Sequence, residues 1–299
     1  MTGLVLASVG SDTLGRRLAD ALHLPLGAVE SRRFPDGETY LRVDADSRGR
    51  QVIIACSLDR PDPKLLPLVF LADAARSEGA SRVGLVAPYL AYMRQDQQFR
   101  PGEAVTSRLF AALLSRHIDW LVTVDPHLHR VHALDEIYAV PTRGVAAAPA
   151  LAAWIAAHVT RPLVVGPDEE SVQWVRDVAT RAAAPFVVMR KVRRGDRTVE
   201  ITAPEVSAWR GHTPVVVDDV VSSGQTMIAT VRRLVEAGLA PPVCLAVHAL
   251  FAGDTEAALR AAGARGIVTT NTIDHPAGTI DIVPLLVPAI ADLAGALTP

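Results

Sequence analysis

Val215-Val-Val-Asp-Asp-Val-Val-Ser-Ser-Gly-Gln-Thr-Met227 reads as strand, turn and helix. Val215, Val216 and Val217 are β-branched and apolar, as a strand buried on both faces requires. Asp218 and Asp219 end that run with two carboxylates at the strand's C-terminal edge. Ser222-Ser-Gly-Gln-Thr226 is small, polar and centred on Gly224, so it can turn tightly. From Thr226 the spacing of Met227, Val231, Leu234 and Val235 is helical, and Gly238 supplies a C-terminal stop. A glycine turn entering a helix aims backbone N–H groups at one point, where the helix dipole is positive. The serine and threonine hydroxyls add donors, which suits a monoester phosphate. The carboxylates accept hydrogen bonds and suit vicinal hydroxyls. Phosphate at one end and hydroxyls at the other describe a ribose 5-phosphate.

The same alternation of strand and helix extends outward in both directions. Upstream, Pro162–Asp168 is an apolar strand closed by an acid, and Ser171–Ala184 is a helix. Phe186–Met189 is a strand running into Arg190-Lys-Val-Arg-Arg-Gly-Asp-Arg197, where five cations lie within eight residues. That stretch is expected as a mobile basic loop, with Thr198–Ile201 as the returning strand. Downstream come a strand over Val243–Phe251, a helix over Thr255–Ala262, a strand over Gly266–Asn271 and an apolar helical tail over Ile282–Leu297.

The first half repeats the theme. Strands are expected at Leu4–Ala7, Tyr40–Val43, Gln51–Cys56, Arg82–Pro88 and Trp120–Asp125. Helices are expected at Asp12–Leu22, Leu65–Ser77, Val105–Ser115 and Ala146–Val159. Phe34-Pro-Asp-Gly-Glu38 is a hairpin turn. Tyr89–Glu103 is a long polar segment with Arg94 and Arg100 beside Tyr92 and Phe99, just past a strand's C-terminal end. Open α/β sheets bind ligands there, and arginines with aromatics suit a nucleotide. Asp125, His127 and His129 stand at another such edge, and the Asp-x-His-x-His pattern alone fits either a metal or a polar turn.

Alternating strands and helices throughout mean parallel sheets with helical crossovers, and 299 residues make two domains of about 150 each. The expected architecture is a duplicated α/β domain. The chain is 49% hydrophobic and 21% charged, with a net charge of −2, which argues against nucleic acid as the main partner. Cys56 and Cys244 lie in apolar strands and fit a reducing compartment. No secretory leader and no apolar run of membrane-spanning length is evident, so a soluble cytoplasmic protein is expected.

Taken together, these segments resemble the ribose-phosphate diphosphokinase, or phosphoribosyl-pyrophosphate (PRPP) synthetase, family from about Ser8 to Ile273. Phe34-Pro-Asp-Gly-Glu38 looks like the family's Phe-x-Asp-Gly-Glu, and Pro88-Tyr-Leu-Ala-Tyr-Met-Arg-Gln-Asp96 its Pro-Tyr-x-x-Tyr-x-Arg-Gln-Asp. Thr123-Val-Asp-Pro-His127 is similar to Thr-Val-Asp-Leu-His, Gly166-Pro-Asp168 to Ser-Pro-Asp, Lys191-Val-Arg193 to Lys-x-Arg, and Thr269-Thr-Asn-Thr-Ile273 to a strand near the family's end.

The resemblance implies an α/β fold of two tandem type I phosphoribosyltransferase-like domains, each a mostly parallel sheet flanked by helices. They would span 1–144 and 145–279, with the tail 280–299 a candidate to pack on the first. It implies transfer of the diphosphoryl group of MgATP to the C1 hydroxyl of ribose 5-phosphate, giving PRPP and AMP for nucleotide biosynthesis. Lys191 and Arg193 would be catalytic. Asp218, Asp219, Ser222, Ser223, Gly224, Gln225 and Thr226 would hold ribose 5-phosphate. Phe34, Asp36, Glu38, Arg94, Gln95, Asp96 and His127 would hold ATP, with His127 and Asp168 placing Mg²⁺. The ATP site would lie at a subunit interface of a homo-oligomer, and the basic loop would close over ATP. Three alternatives share parts of this pattern: a PRPP-using phosphoribosyltransferase, a non-catalytic synthetase-associated regulatory protein, and the same chemistry on another sugar. The chain departs from the family's pattern at Pro61–Leu68, at His129 and Arg130, at Glu169-Glu-Ser171, and at Ser222, where many members carry Asp.

Overall fold

The computed structural model describes residues 2–298 except 129, 195–197 and 203–206, without the side chains of Glu170, Ser207 and residues 190–194 and 198–202. In chain order the elements are β1 (Gly3–Ala7), α1 (Asp12–Leu22), β2 (Leu26–Arg33), β3 (Thr39–Asp44), β4 (Gln51–Ala55), α2 (Asp62–Ser77), β5 (Arg82–Ala87), α3 (Thr106–Ser115), β6 (Trp120–Val124) and β7 (Thr142–Val145). Then follow α4 (Ala148–His158), β8 (Pro162–Gly166), α5 (Val172–Arg181), β9 (Phe186–Val188), β10 (Arg190–Arg194), β11 (Thr198–Thr202), β12 (Thr213–Val221), α6 (Gln225–Glu236), β13 (Val243–Ala249), α7 (Thr255–Ala261), β14 (Gly266–Thr270), β15 (Gly278–Ile280) and α8 (Val283–Ala294).

The chain forms two compact units, one from the N-terminal part up to Ala146 plus the segment from Val283, the other from Ala147 to Ile282. The first unit's sheet has strand order β3-β2-β1-β4-β5-β6-β7, and only β3 is antiparallel to its neighbour. The second unit's sheet, β15-β14-β13-β12-β8-β9, is parallel throughout. Laid side by side, β2-β1-β4-β5-β6-β7 and β9-β8-β12-β13-β14-β15 are the same topology, so the duplication is real. In each unit the chain leaves its first strand to one side, makes an antiparallel excursion, and re-enters on the other side. The excursion is the β2–β3 hairpin in the first unit and the separate β10–β11 ribbon in the second.

Each sheet is the apolar centre of its unit. Leu6, Val52, Ile54 and Leu85 pack with Leu71 of α2 and Leu114 of α3. Val165, Val216 and Cys244 pack with Val231 and Leu234 of α6 and Leu259 of α7. Helix α8 packs on α1, β6 and β7 of the first unit. Oriented so that both its ends are satisfied, the buried Gln51 amide accepts from Trp120 Nε1 (3.0 Å) and donates to the Ala294 carbonyl (3.1 Å). Among the described residues no helix is long and apolar enough to cross a membrane.

Several boundaries differ from expectation for physical reasons. Helix α2 begins at Asp62, because Pro63 sits in its first turn, where no N–H partner is needed. Strands β2, β7 and β15 carry no clear strand pattern in the sequence. β2 is largely exposed and carries Glu30, Ser31, Arg32 and Arg33, while β7 and β15 are short, glycine-containing outer strands. The stretch expected as a basic loop is in part strand β10, paired from Arg190↔Thr202 to Arg194↔Thr198. The rest of that loop, residues 195–197, lies outside the described residues, and with it the expectation that it is mobile and closes over ATP.

Gly84 shows how tightly the first core is built. It pairs across β5–β6 with the fully buried Trp120, and a Cβ at Gly84 would lie 1.9 Å from Cε2 and 2.0 Å from Cζ2 of the indole. Overpacking of this kind costs roughly 1–3 kcal/mol or more. Gly84→Ala is therefore expected to lower the urea midpoint of unfolding by an amount corresponding to about 3 kcal/mol. An unchanged midpoint would contradict this packing.

Candidate active site

In an open α/β sheet, the crevice lies where the chain leaves adjacent strands in opposite directions, outside their C-terminal ends. In the second unit that point falls between β8 and β12, which are hydrogen-bonded neighbours. β8 is followed by Pro167 and Asp168. β12 is nine residues long and runs through both Asp218 and Asp219 to Val221, so the two acids stand inside the end of the strand and not after it. The turn Ser222–Gly224 then enters α6 at Gln225. Gly224 is the N-cap, with φ +67°, a left-handed conformation that glycine adopts without strain. No side chain caps α6. The first N–H groups of the helix are thus available at the floor of a concavity of about 150 Å³ between Asp218 and Met227. At the other end of α6, Gly238 takes φ +78°, and its N–H donates to Val235 O (2.9 Å), the glycine stop expected from the sequence.

The acids beside the turn carry concentrated charge. Asp218 is half-buried, and its carboxyl is pushed well above the usual range, first by burial, then by the neighbouring carboxylates of Asp219 and Asp168. Its Oδ1 accepts from the Asp219 N–H (3.1 Å), and Asp219 Oδ1 accepts from the Val220 N–H (2.7 Å). Three neighbouring acids of this kind suit hydroxyl donors or a hard cation. Among the described residues no three His, Cys, Asp or Glu side chains close into a metal-holding group. The donor set fits Mg²⁺, which keeps several of its waters and needs one or two carboxylates.

At the equivalent crevice in the first unit, between β1 and β4, polar groups bond one another. The Ser57 N–H donates to Ser11 Oγ (3.2 Å), and Lys64 Nζ bonds Ser57 O (2.9 Å) and Asp59 (2.6 Å). The other residues expected to bind ATP stand elsewhere in this unit. Phe34, Asp36 and Glu38 form the exposed tip of the β2–β3 hairpin, where Gly37 takes φ +95° and the Glu38 N–H donates to Asp36 Oδ1 (3.1 Å). The Arg32 guanidinium lies over both Phe34 (4.7 Å) and Tyr40 (4.4 Å). Arg94 is exposed and Gln95 half-buried in the segment after β5.

Asp96 is occupied within the protein by Arg130, one of the chain's departures from the family's pattern. Its Oδ2 accepts from the Arg130 N–H (3.0 Å) and its Oδ1 from Arg130 Nη1 (3.0 Å). Burial alone would push Asp96 up. The hydrogen bonds and the charge of Arg130 outweigh that and hold it below the ordinary carboxylate value. The exposed Arg130 guanidinium lies 5.6 Å from the Phe99 ring centre. Asp96 thereby fixes the segment that carries the half-buried His127. The side chains of Lys191 and Arg193, on β10, lie outside the described set, as does His129.

Comparison with known proteins places this geometry. The ribose-phosphate pyrophosphokinase of Methanopyrus kandleri is 35% identical to this chain, over 98% of it and 100% of that protein. The chain belongs to the ribose-phosphate pyrophosphokinase family. The family's N-terminal domain model matches residues 4–117, and a phosphoribosyl transferase domain model matches residues 134–281. The Methanothermobacter thermautotrophicus pyrophosphokinase is 30% identical over 97% of this chain and 100% of its own length. In fold, the chain is similar to the crystal structure of phosphoribosylpyrophosphate synthetase from Mycobacterium smegmatis, with a TM-score of 0.84, 24% identity, 99% of this chain covered and 100% of that one. Both units are therefore of the phosphoribosyltransferase type, as the pyrophosphokinase resemblance implied.

The Asp96–Arg130 pair makes a pH-dependent prediction. A carboxyl held below its unfolded value of about 3.8 contributes stability above that pH and loses it as pH falls further. Arg130→Ala is expected to lower stability by about 1–3 kcal/mol at neutral pH. The difference from the unsubstituted protein should shrink below pH ~3.8, as Asp96 becomes protonated in both. Urea midpoints across this range measure it. A gap that does not depend on pH would contradict the pairing.

Proposed function

We propose that the chain transfers the β,γ-diphosphoryl group of ATP to the C1 hydroxyl of ribose 5-phosphate, making PRPP and AMP. The observation that carries this is the uncapped N-terminus of α6 behind a left-handed glycine, beside acids at the switch point of the second sheet. The N–H groups and hydroxyls of Ser222, Ser223, Gly224, Gln225 and Thr226 hold the 5-phosphate. Asp218 and Asp219 accept from the ribose hydroxyls, and each such donor offsets part of the burial and the neighbouring charge that push Asp218 up. The C1 hydroxyl oxygen attacks the β-phosphorus, the bond from that phosphorus to the bridging oxygen of AMP breaks, and the hydroxyl proton is released. No protein nucleophile is required, so catalysis rests on positioning and charge neutralisation.

Lys191 and Arg193 neutralise the charge that develops on the transferred group. Phe34, Asp36, Glu38, Arg94, Gln95 and His127 bind ATP, while Asp96 acts on it through Arg130. The exposed hairpin tip that carries Phe34, Asp36 and Glu38 supports the reading that it reaches a second copy of the chain. His127 and Asp168 would each serve as a Mg²⁺ ligand, directly or through water. The cation, when bound, offsets the charge of the ATP phosphates. The product PRPP feeds nucleotide biosynthesis.

Incubation of purified protein with ribose 5-phosphate, ATP and Mg²⁺ is expected to release AMP and PRPP in equal amounts. Removal of one preorganised donor costs on the order of 100- to 1000-fold in rate, and Lys191→Ala should lose about that much in kcat. Binding of both substrates without AMP release would point to a non-catalytic regulatory relative. Unimpaired Lys191→Ala turnover would remove β10 from the mechanism.

A further inference from the structure

Thr255 lies outside every motif described above, yet it touches both ends of the phosphate turn. It is the first residue of α7, after the loop that follows β13, and it is 3% exposed. Because β12 and β13 are parallel neighbours, with Val220 opposite His248 and Val221 opposite Ala249, the loops after them lie side by side. The single hydroxyl proton of Thr255 is shared between Ser222 O (2.9 Å) and Ala252 O (2.7 Å). The Ala252 N–H also donates to Ser222 O (3.2 Å). Two donors from one loop thus hold the first carbonyl of the turn. At the other end, a Cβ on Gly224 would lie 2.7 Å from Thr255 Cγ2, so the threonine methyl rests on the left-handed glycine.

A hydrogen bond to a turn carbonyl and a methyl against the turn's glycine act in the same sense. The carbonyl of Ser222 is held toward α7 and away from the ligand side, while the peptide after Gly224 cannot roll into the space that the methyl fills. What remains for the N–H groups at the start of α6 is the open concavity. We propose that Thr255 is a positioning residue for ribose 5-phosphate: through Ser222 and Gly224 it holds the turn in the shape that receives the 5-phosphate. This rests on the assignment of that turn to ribose 5-phosphate. Thr255 is buried with its hydroxyl on protein carbonyls, so its loss should weaken sugar-phosphate binding and leave ATP binding alone.

The test uses the full chain and three substitutions. Thr255→Val keeps the shape and removes the hydroxyl. Thr255→Ala removes hydroxyl and methyl and cannot clash. Thr255→Ser keeps the hydroxyl. Calorimetric Kd for ribose 5-phosphate is measured with Mg²⁺ and a non-hydrolysable ATP analogue present, alongside KM for each substrate. Loss of one ordering hydrogen bond should raise the ribose 5-phosphate Kd about tenfold in Thr255→Val and Thr255→Ala. KM for ATP should stay within about twofold of the unsubstituted value, and Thr255→Ser should recover most of the affinity. Unchanged ribose 5-phosphate binding in Thr255→Val and Thr255→Ala would overturn the proposal. So would equal weakening for both substrates, the mark of general loosening. If the unsubstituted protein binds no ribose 5-phosphate under these conditions, the assignment of the turn itself fails, and the inference falls with it.

Discussion

The N–H groups at the start of α6 have no side-chain cap, and the second unit holds the turn before them in an open shape. Left to itself, a short polar loop before a helix would use its own serine side chains to cap those groups. Here the cap position is Gly224, which has no side chain to offer and sits in a conformation that other residues reach only with strain. The turn emerges from β12, a strand flanked on both sides by hydrogen-bonded neighbours and buried from Pro214 to Val217. Thr255 closes the far side. Rigidity below and beside the turn is what lets the N–H groups stay unfilled without collapse.

The duplicated topology shows what that arrangement replaces. In the first unit the strand that corresponds to β12 is β4, and the residue before its helix α2 is Pro61, where the second unit has Gly224. Lys64 and Asp59 neutralise each other there, and Ser11 takes the Ser57 N–H. One fold thus has a lysine–aspartate pair beside the crevice in one copy and clustered acids in the other. The first unit presents its polar residues at other edges: a hairpin tip, the segment after β5, and the segment after β6 that Asp96 anchors through Arg130.

Much of this was legible in the residues. The β12 run, its acids, the glycine and the helical spacing after it each signal one element, and all are local. The alternation of strand and helix was legible for the same reason, since buried strands are apolar throughout. What escaped was either exposed or distant. β2 carries a polar surface and gains its strand character from pairing with β3. β10 is cationic enough to read as a loop, and its antiparallel partner makes it a strand. Arg130 meets Asp96 across 34 residues, and Thr255 meets Ser222 across 33. No periodicity within either segment announces such a contact. The signal that could have found Thr255 is topological: once β12 and β13 are taken as adjacent parallel strands, the loop after one must flank the loop after the other.

The most direct test of the account is a crystal structure with ribose 5-phosphate bound. One sugar phosphate per chain is predicted, with its phosphate on the N–H groups at the start of α6 and its hydroxyls at Asp218 and Asp219, and none in the crevice beside Lys64. A sugar phosphate bound elsewhere, or reversed so that the phosphate meets the acids, would contradict the account.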